Sequence, residues 1–315
     1  MRKKTAAALL VSAALLLSAC GEANASNETV KSADTAQAAP VAAARGGGFV
    51  TPPFEDAVFH DAAAEGNEIA RLDLSSREKG YVAVSATSEH RLKFQAIFGE
   101  ETYTYDLPSD GTPRIFPLSC GDGNYRFRVM ENVTDKKYAE VYAAECSVKL
   151  LDEFQPFIRP NAYVPYSASS ECVKKAAELA AGVSSEIELV AAVYRFIGAT
   201  VNYDTYKAET VVSGYLPDPD ETMRTGKGIC FDYAALAASM LRSQGIPTKE
   251  IFGYVSPNGL YHAWNMFYTD ESGWVTVSFE TDRNDWNRLD MTFAANGTDD
   301  RFIGDGSNYS DLYWY

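Results

Sequence analysis

The chain holds five cysteines and three histidines, and few of them stand where a thiol and an imidazole could act together. Cys230 lies in the stretch "TGKGICFDYAALAASMLRSQGIP" (225–247). Phe231, Ala234, Ala238 and Leu241 recur at helical spacing, and Gly245 with Pro247 ends the run, which predicts an amphipathic helix with Cys230 in its first turn or at its cap. Backbone N–H groups there lack intrahelical partners and the dipole is positive, so a thiolate is favoured and an oxyanion could be held. The position suits a nucleophile. A lone cysteine is also among the most buried residue types, so core filling is the competing expectation.

A thiol nucleophile needs a base. His60 and His90 fall in a strand-rich first half, which leaves His262, in "YHAWN", on the same side of the chain as Cys230. The flanking Tyr261 and Trp264 could wall a narrow cleft. Asp232, two residues after Cys230, has the chemistry of a catalytic acid, but its position better fits a carboxylate complementing the positive end of the helix.

Two blocks of chain must position these groups. From Phe49 to Leu151, "GYVAVSAT" (80–87), "RLKFQAIF" (91–98), "ETYTYDL" (101–107), "YRFRVME" (125–131) and "YAEVYAAE" (138–145) alternate or are rich in β-branched and aromatic residues, separated by "SDGT", "GDGN" and "VTDKK". Short strands at that spacing predict an antiparallel β-sandwich. Beyond "PFIRPNAYVPYS", "SSECVKKAAELAAG" and "SSEIELVAAVYRFIGA" read as helices, the second opening with a Ser185–Glu188 capping box. After the Cys230 helix come strands at 248–255, 262–269, 273–281 and 286–293. Helices followed by strands make an α+β domain, with a boundary near residue 155.

In this order, "GKGICFDYAALAASMLRSQGIPTKEIFGYV" and "YHAWN" resemble the transglutaminase-like superfamily of papain-related thiol enzymes, over roughly residues 155–315. The resemblance implies Cys230 as nucleophile and His262 as its base. It also implies an aspartate after a tryptophan strand to orient the histidine. "WVTVSFET" puts Ser278 at that place, whereas "WNRLDMTF" offers Asp290, with Met291 where the family usually has proline. Asp290 is preferred over Ser278, Glu280 and Asp282, with "VTVSFETDRND" as an inserted strand and turn. Tyr203, in "VNYDT", is the candidate second oxyanion donor beside the Cys230 N–H, although a core or rim aromatic is the plainer role. The implied reaction is attack of the thiolate on a protein or peptide amide. Release of the acyl group by an amine or by water is left open. A catalytically silent binding module is the alternative, favoured by Ser278 and Met291.

Cys120, Cys146 and Cys172 show no C-x-x-C spacing and the histidines are too few for a cluster, so no metal or other cofactor is expected. Cys120 and Cys146 both lie in the sandwich half and could pair outside the cytoplasm; Cys172 reads as a buried helix residue.

The N-terminus has Arg2, Lys3 and Lys4, an apolar run from Ala6 to Leu17, and then "LSAC" ending at Cys20. The run is too short to span a bilayer and reads as an export signal. "LSAC" resembles the bacterial lipoprotein box, which implies a lipid on Cys20 and a place in the bacterial cell envelope, on the extracytoplasmic face of a membrane. Residues 21–48 lack aromatics and any apolar period, the mark of a flexible tether. The expected layout is signal 1–19, lipid-anchored tether 20–48, sandwich 49–154 and transglutaminase-like domain 155–315. With 43 acidic against 28 basic residues and a formal charge of −15, nucleic acid is not an expected partner.

Overall fold

The computed structural model describes residues 49–255, 260–280, 288–291 and 309–315. The predicted signal and tether, with Cys20, lie outside the described residues. The first half folds as two antiparallel four-stranded sheets. β1 (Glu65–Gly66), β2 (Ala70–Asp73), β3 (Tyr81–Ala86) and β6 (Arg114–Pro117) form one, in the order β1-β2-β3-β6. β4 (Leu92–Phe98), β5 (Glu101–Leu107), β7 (Gly123–Thr134) and β8 (Lys137–Val148) form the other, in the order β5-β4-β7-β8. Alternation decides which face is buried: along β4, Leu92, Phe94 and Ala96 are buried while Lys93 and Gln95 are partly exposed. The two inward faces meet at Phe94 and Phe116, whose rings stack 4.6 Å apart. Each such ring contributes on the order of 1.5–3 kcal/mol by leaving water. "VTDKK" is the β7–β8 hairpin turn, with Asp135 at φ 48°, a left-handed conformation that Asp tolerates.

The second half contains α1 (Glu171–Ala180), α2 (Glu186–Thr200), α3 (Thr205–Thr210), α4 (Pro219–Thr225) and α5 (Cys230–Arg242), with a small parallel pair, β9 (Asn202–Tyr203) and β10 (Lys227–Gly228). β11 (Thr248–Val255), β12 (Leu260–Thr269), β13 (Gly273–Glu280), β14 (Arg288–Met291) and β15 (Tyr309–Trp314) form an antiparallel sheet in the order β14-β13-β12-β11-β15. The chain is thus α+β. The Ser185 side chain accepts from the Glu188 N–H, while the Glu188 carboxylate returns to Ser184 rather than to Ser185. The serine at the start of α1 gives no side-chain cap; Asp220, on α4, accepts from the N–H groups of Glu171 and Cys172 instead.

α5 departs from the amphipathic expectation: every residue from Phe231 to Arg242 is buried. The sheet covers one side and α1, α2 and α4 cover others, so even its polar residues are taken inside. Arg242 is satisfied there by the carbonyls of Thr248, Arg159 and Tyr315.

The described residues fall in one compact unit, and several contacts cross the position near residue 155. Residues 49–58 cross it too. Phe49 N–H donates to Val183 O and Thr51 Oγ1 to Gln244 Oε1, both beyond it, while Val58 N–H donates to Tyr81 Oη of the sandwich. Tyr313 of β15 and Tyr315, just after it, lie edge-on against Tyr103 of β5, and Tyr315 stacks on Tyr163 at 4.1 Å. Phe231, Phe252 and Ala263 therefore share one core with the sandwich. Among the described residues, no helix is long and apolar enough to cross a membrane.

Candidate active site

Two glycines of "GKGIC" carry the chain from α4 into α5. Gly226 ends α4 at φ 61°, which a side chain would strain. At Gly228 a Cβ would stand 2.7 Å from the Asp232 Cβ. Its absence lets the Asp232 carboxylate fold back over the helix start, where Oδ2 accepts from the Ile229 N–H at 2.8 Å. Asp232 is fully buried; Lys207 Nζ donates to Oδ2 at 2.7 Å and Tyr215 Oη donates to Oδ1. Lys207 Nζ also lies 2.6 Å from Tyr215 Oη and 4.3 Å from the centre of its ring. The aspartate therefore does what its position suggested, complementing the helix, and in addition ties α3 and the loop after it to the start of α5.

Cys230 is the first residue of α5 and reaches, partly exposed, into a cleft of about 730 Å³. His262, from β12, lines the same cleft, as does Tyr203 at the end of β9. The backbone N–H groups of Ala263 and Phe231 favour the thiolate. Burial nevertheless pushes the thiol up from 9.0 to about 11, and the Asp232 carboxylate adds to the rise. The helix start and two N–H donors are outweighed by desolvation, contrary to the expectation of a favoured thiolate. Burial also raises the Tyr203 phenol to about 12, with Cys230 and Asp232 contributing, so it holds its proton as an O–H donor at neutral pH.

The structure brings Cys230, His262 and Tyr203 to one cleft. Of the four candidates for the orienting position, Asp290 on β14 pairs in register with Ser278 of β13; the side chains of Asp290, Ser278 and Glu280 lie outside the described residues, as do Cys20 and Asp282. Tyr261 lines the cleft, whereas Trp264 is buried, 1% exposed, and is not among its lining residues. Cys120, Cys146 and Cys172 are free thiols.

Sequence reasoning missed Lys207, Tyr215 and the Ala263 N–H. Lys207 and Tyr215 lie 25 and 17 residues from Asp232 and share no period with it, and a backbone donor leaves no mark on residue type.

The Transglutaminase-like superfamily model matches residues 173–279. An uncharacterized protein of Mycobacterium leprae (strain TN) is 27% identical over 177 residues, which span 53% of this chain and 56% of that protein. Among solved structures, a candidate cysteine protease from Cytophaga hutchinsonii is similar at 16% identity and TM-score 0.36, over 62% of this chain and 68% of that one. Red sea bream transglutaminase is similar at 15% identity and TM-score 0.30, over 66% and 49%. On the family match, the chain carries a transglutaminase-like superfamily domain at residues 173–279.

Proposed function

We propose that this domain is a thiol acyl-transfer enzyme acting on protein or peptide amides, in a lipoprotein held by Cys20 on the extracytoplasmic face of a bacterial membrane. The observation that carries the reading is the convergence of Cys230, at the start of a helix, and His262 on one cleft within a transglutaminase-like domain. Because burial favours the protonated thiol, His262 acts as a general base. It takes the Sγ proton as sulfur attacks the carbonyl carbon, then returns it to the departing amine. Asp290 orients the imidazole. The Cys230 N–H and the Tyr203 phenol stabilise the oxyanion. An amine or water then takes the acyl group from sulfur, giving a crosslink or hydrolysis. Cys230→Ala should abolish both amine incorporation into a glutamine-containing protein and peptide hydrolysis, and activity that survives the change would refute the assignment.

A silent binding module is the second reading, and the raised thiol is the observation that favours it. Absence of acyl-enzyme on intact-mass analysis across a broad panel of amide and ester substrates would select it.

A further inference from the structure

Three exposed apolar side chains from two separate segments converge on the Cys230 cleft. Val211 and Val212 follow α3, and Tyr261 precedes His262; they are 39%, 75% and 51% exposed and all line the cleft. Isolated apolar residues on a surface need no explanation, but a cluster facing one concavity continuous with Phe231 and Phe252 does. Tyr254 packs edge-on against Tyr261, ring centres 5.6 Å apart, which limits the freedom that ring would lose on contact with a ligand.

Size and charge narrow the occupant. A volume of about 730 Å³ lies in the range of roughly 300–1,000 Å³ that encloses a whole small ligand rather than a single carboxamide. Among the described lining residues, Glu209 has the one carboxylate and none is Lys or Arg. An acidic segment would meet a like charge there, in a chain already at −15, and Lys207, which touches the lining residue Tyr215, is already paired with Asp232.

We propose that the cleft selects a protein segment with a bulky apolar side chain beside the reacting amide, and that Val211, Val212 and Tyr261 are the selecting surface. The presence of a reacting amide rests on the acyl-transfer reading, and the side-chain preference on the cleft alone.

The test separates the two. In the full chain carrying Cys230→Ala, anisotropy measures binding of fluorescent peptides of about eight residues, with Phe, Leu, Ala or Glu next to a central glutamine. Binding does not need the chemistry, so failure of acyl transfer in the unaltered protein leaves this measurement intact. The Phe peptide should bind about tenfold more tightly than the Ala peptide, with Leu between them and Glu weakest. Adding Val212→Ser with Tyr261→Ser should cut the Phe/Ala ratio to less than about threefold. Both positions are exposed, and the melting temperature checks that the fold is kept. Tyr206→Ser, 75% exposed and outside the cleft lining, should leave the ratio unchanged. Equal affinities for all four peptides, a preference for Glu, no peptide binding, or selectivity that survives the double change would overturn the proposal.

Discussion

In the free protein Cys230 should react as a protonated, slow thiol, and the size of the effect follows from its surroundings. Burial moves its value from 9.0 to about 11. At pH 7 the thiolate fraction falls from about one in a hundred to about one in ten thousand. A more basic thiolate is intrinsically a better nucleophile, and with a Brønsted slope of about 0.4–0.5 two units restore a little under tenfold. The net expectation at pH 7 is alkylation about tenfold slower than for the same cysteine in the unfolded chain. Below pH 10, the logarithm of the rate should climb by one for each pH unit. The assay is a time course with iodoacetamide from pH 6 to 10.5, quantified by mass spectrometry of the peptide containing Cys230, with urea-unfolded protein as reference. A plateau with its midpoint below pH 8 would refute the reasoning. It would mean that the proton has already passed to a neighbour, and that the ion pair outweighs desolvation at this site.

Lys207→Ala leaves the buried Asp232 carboxylate with the Ile229 N–H and the Tyr215 hydroxyl only. Removing one partner of a buried pair costs about 3–5 kcal/mol; with Lys207 partly exposed, about 2 kcal/mol is expected, a loss of roughly 4–8 °C in Tm by circular dichroism. Gly228→Ala drives a Cβ to within 2.7 Å of the Asp232 Cβ and should cost about 1–3 kcal/mol in urea unfolding; an unchanged midpoint would mean that the α5 start relaxes freely. Glu250 is fully buried, neither of its oxygens has a hydrogen-bond partner, and burial holds its carboxyl well above 4.5. The folded carboxyl keeps its proton where the unfolded one releases it. This contribution is therefore present below pH 4.5 and is lost as pH rises toward the folded value. Relative to Glu250→Gln, the parent should lose stability over that interval in a pH series of unfolding curves, and parallel curves would contradict the burial.

Local pattern determined much of this protein. The alternation in 91–98 and 101–107 and the period of 169–182 and 184–199 gave strands and helices within a residue or two of those observed, because period and turn chemistry are properties of neighbours. That Cys230 and His262 would share a half of the chain was legible as well, from one thiol at a helix start, one histidine left in the same half and the order of the motifs; the structure has both lining one cleft. The elements that passed unnoticed, such as β6, α3, α4 and β15, are short, and their formation depends on what they pack against.

Tertiary structure alone decided the rest. Sequence could place Asp232 near a helix start, but not supply the Lys207 and Tyr215 that hold it, nor replace the expected serine cap of α1 with Asp220. It predicted a thiol eased toward ionisation by a helix terminus. The fold surrounds that terminus with Phe231, Phe252 and Ala263 and reverses the sign. The physical reason is that helix dipoles and residue types are local quantities, whereas desolvation is the sum over everything the folded chain brings within a few ångströms.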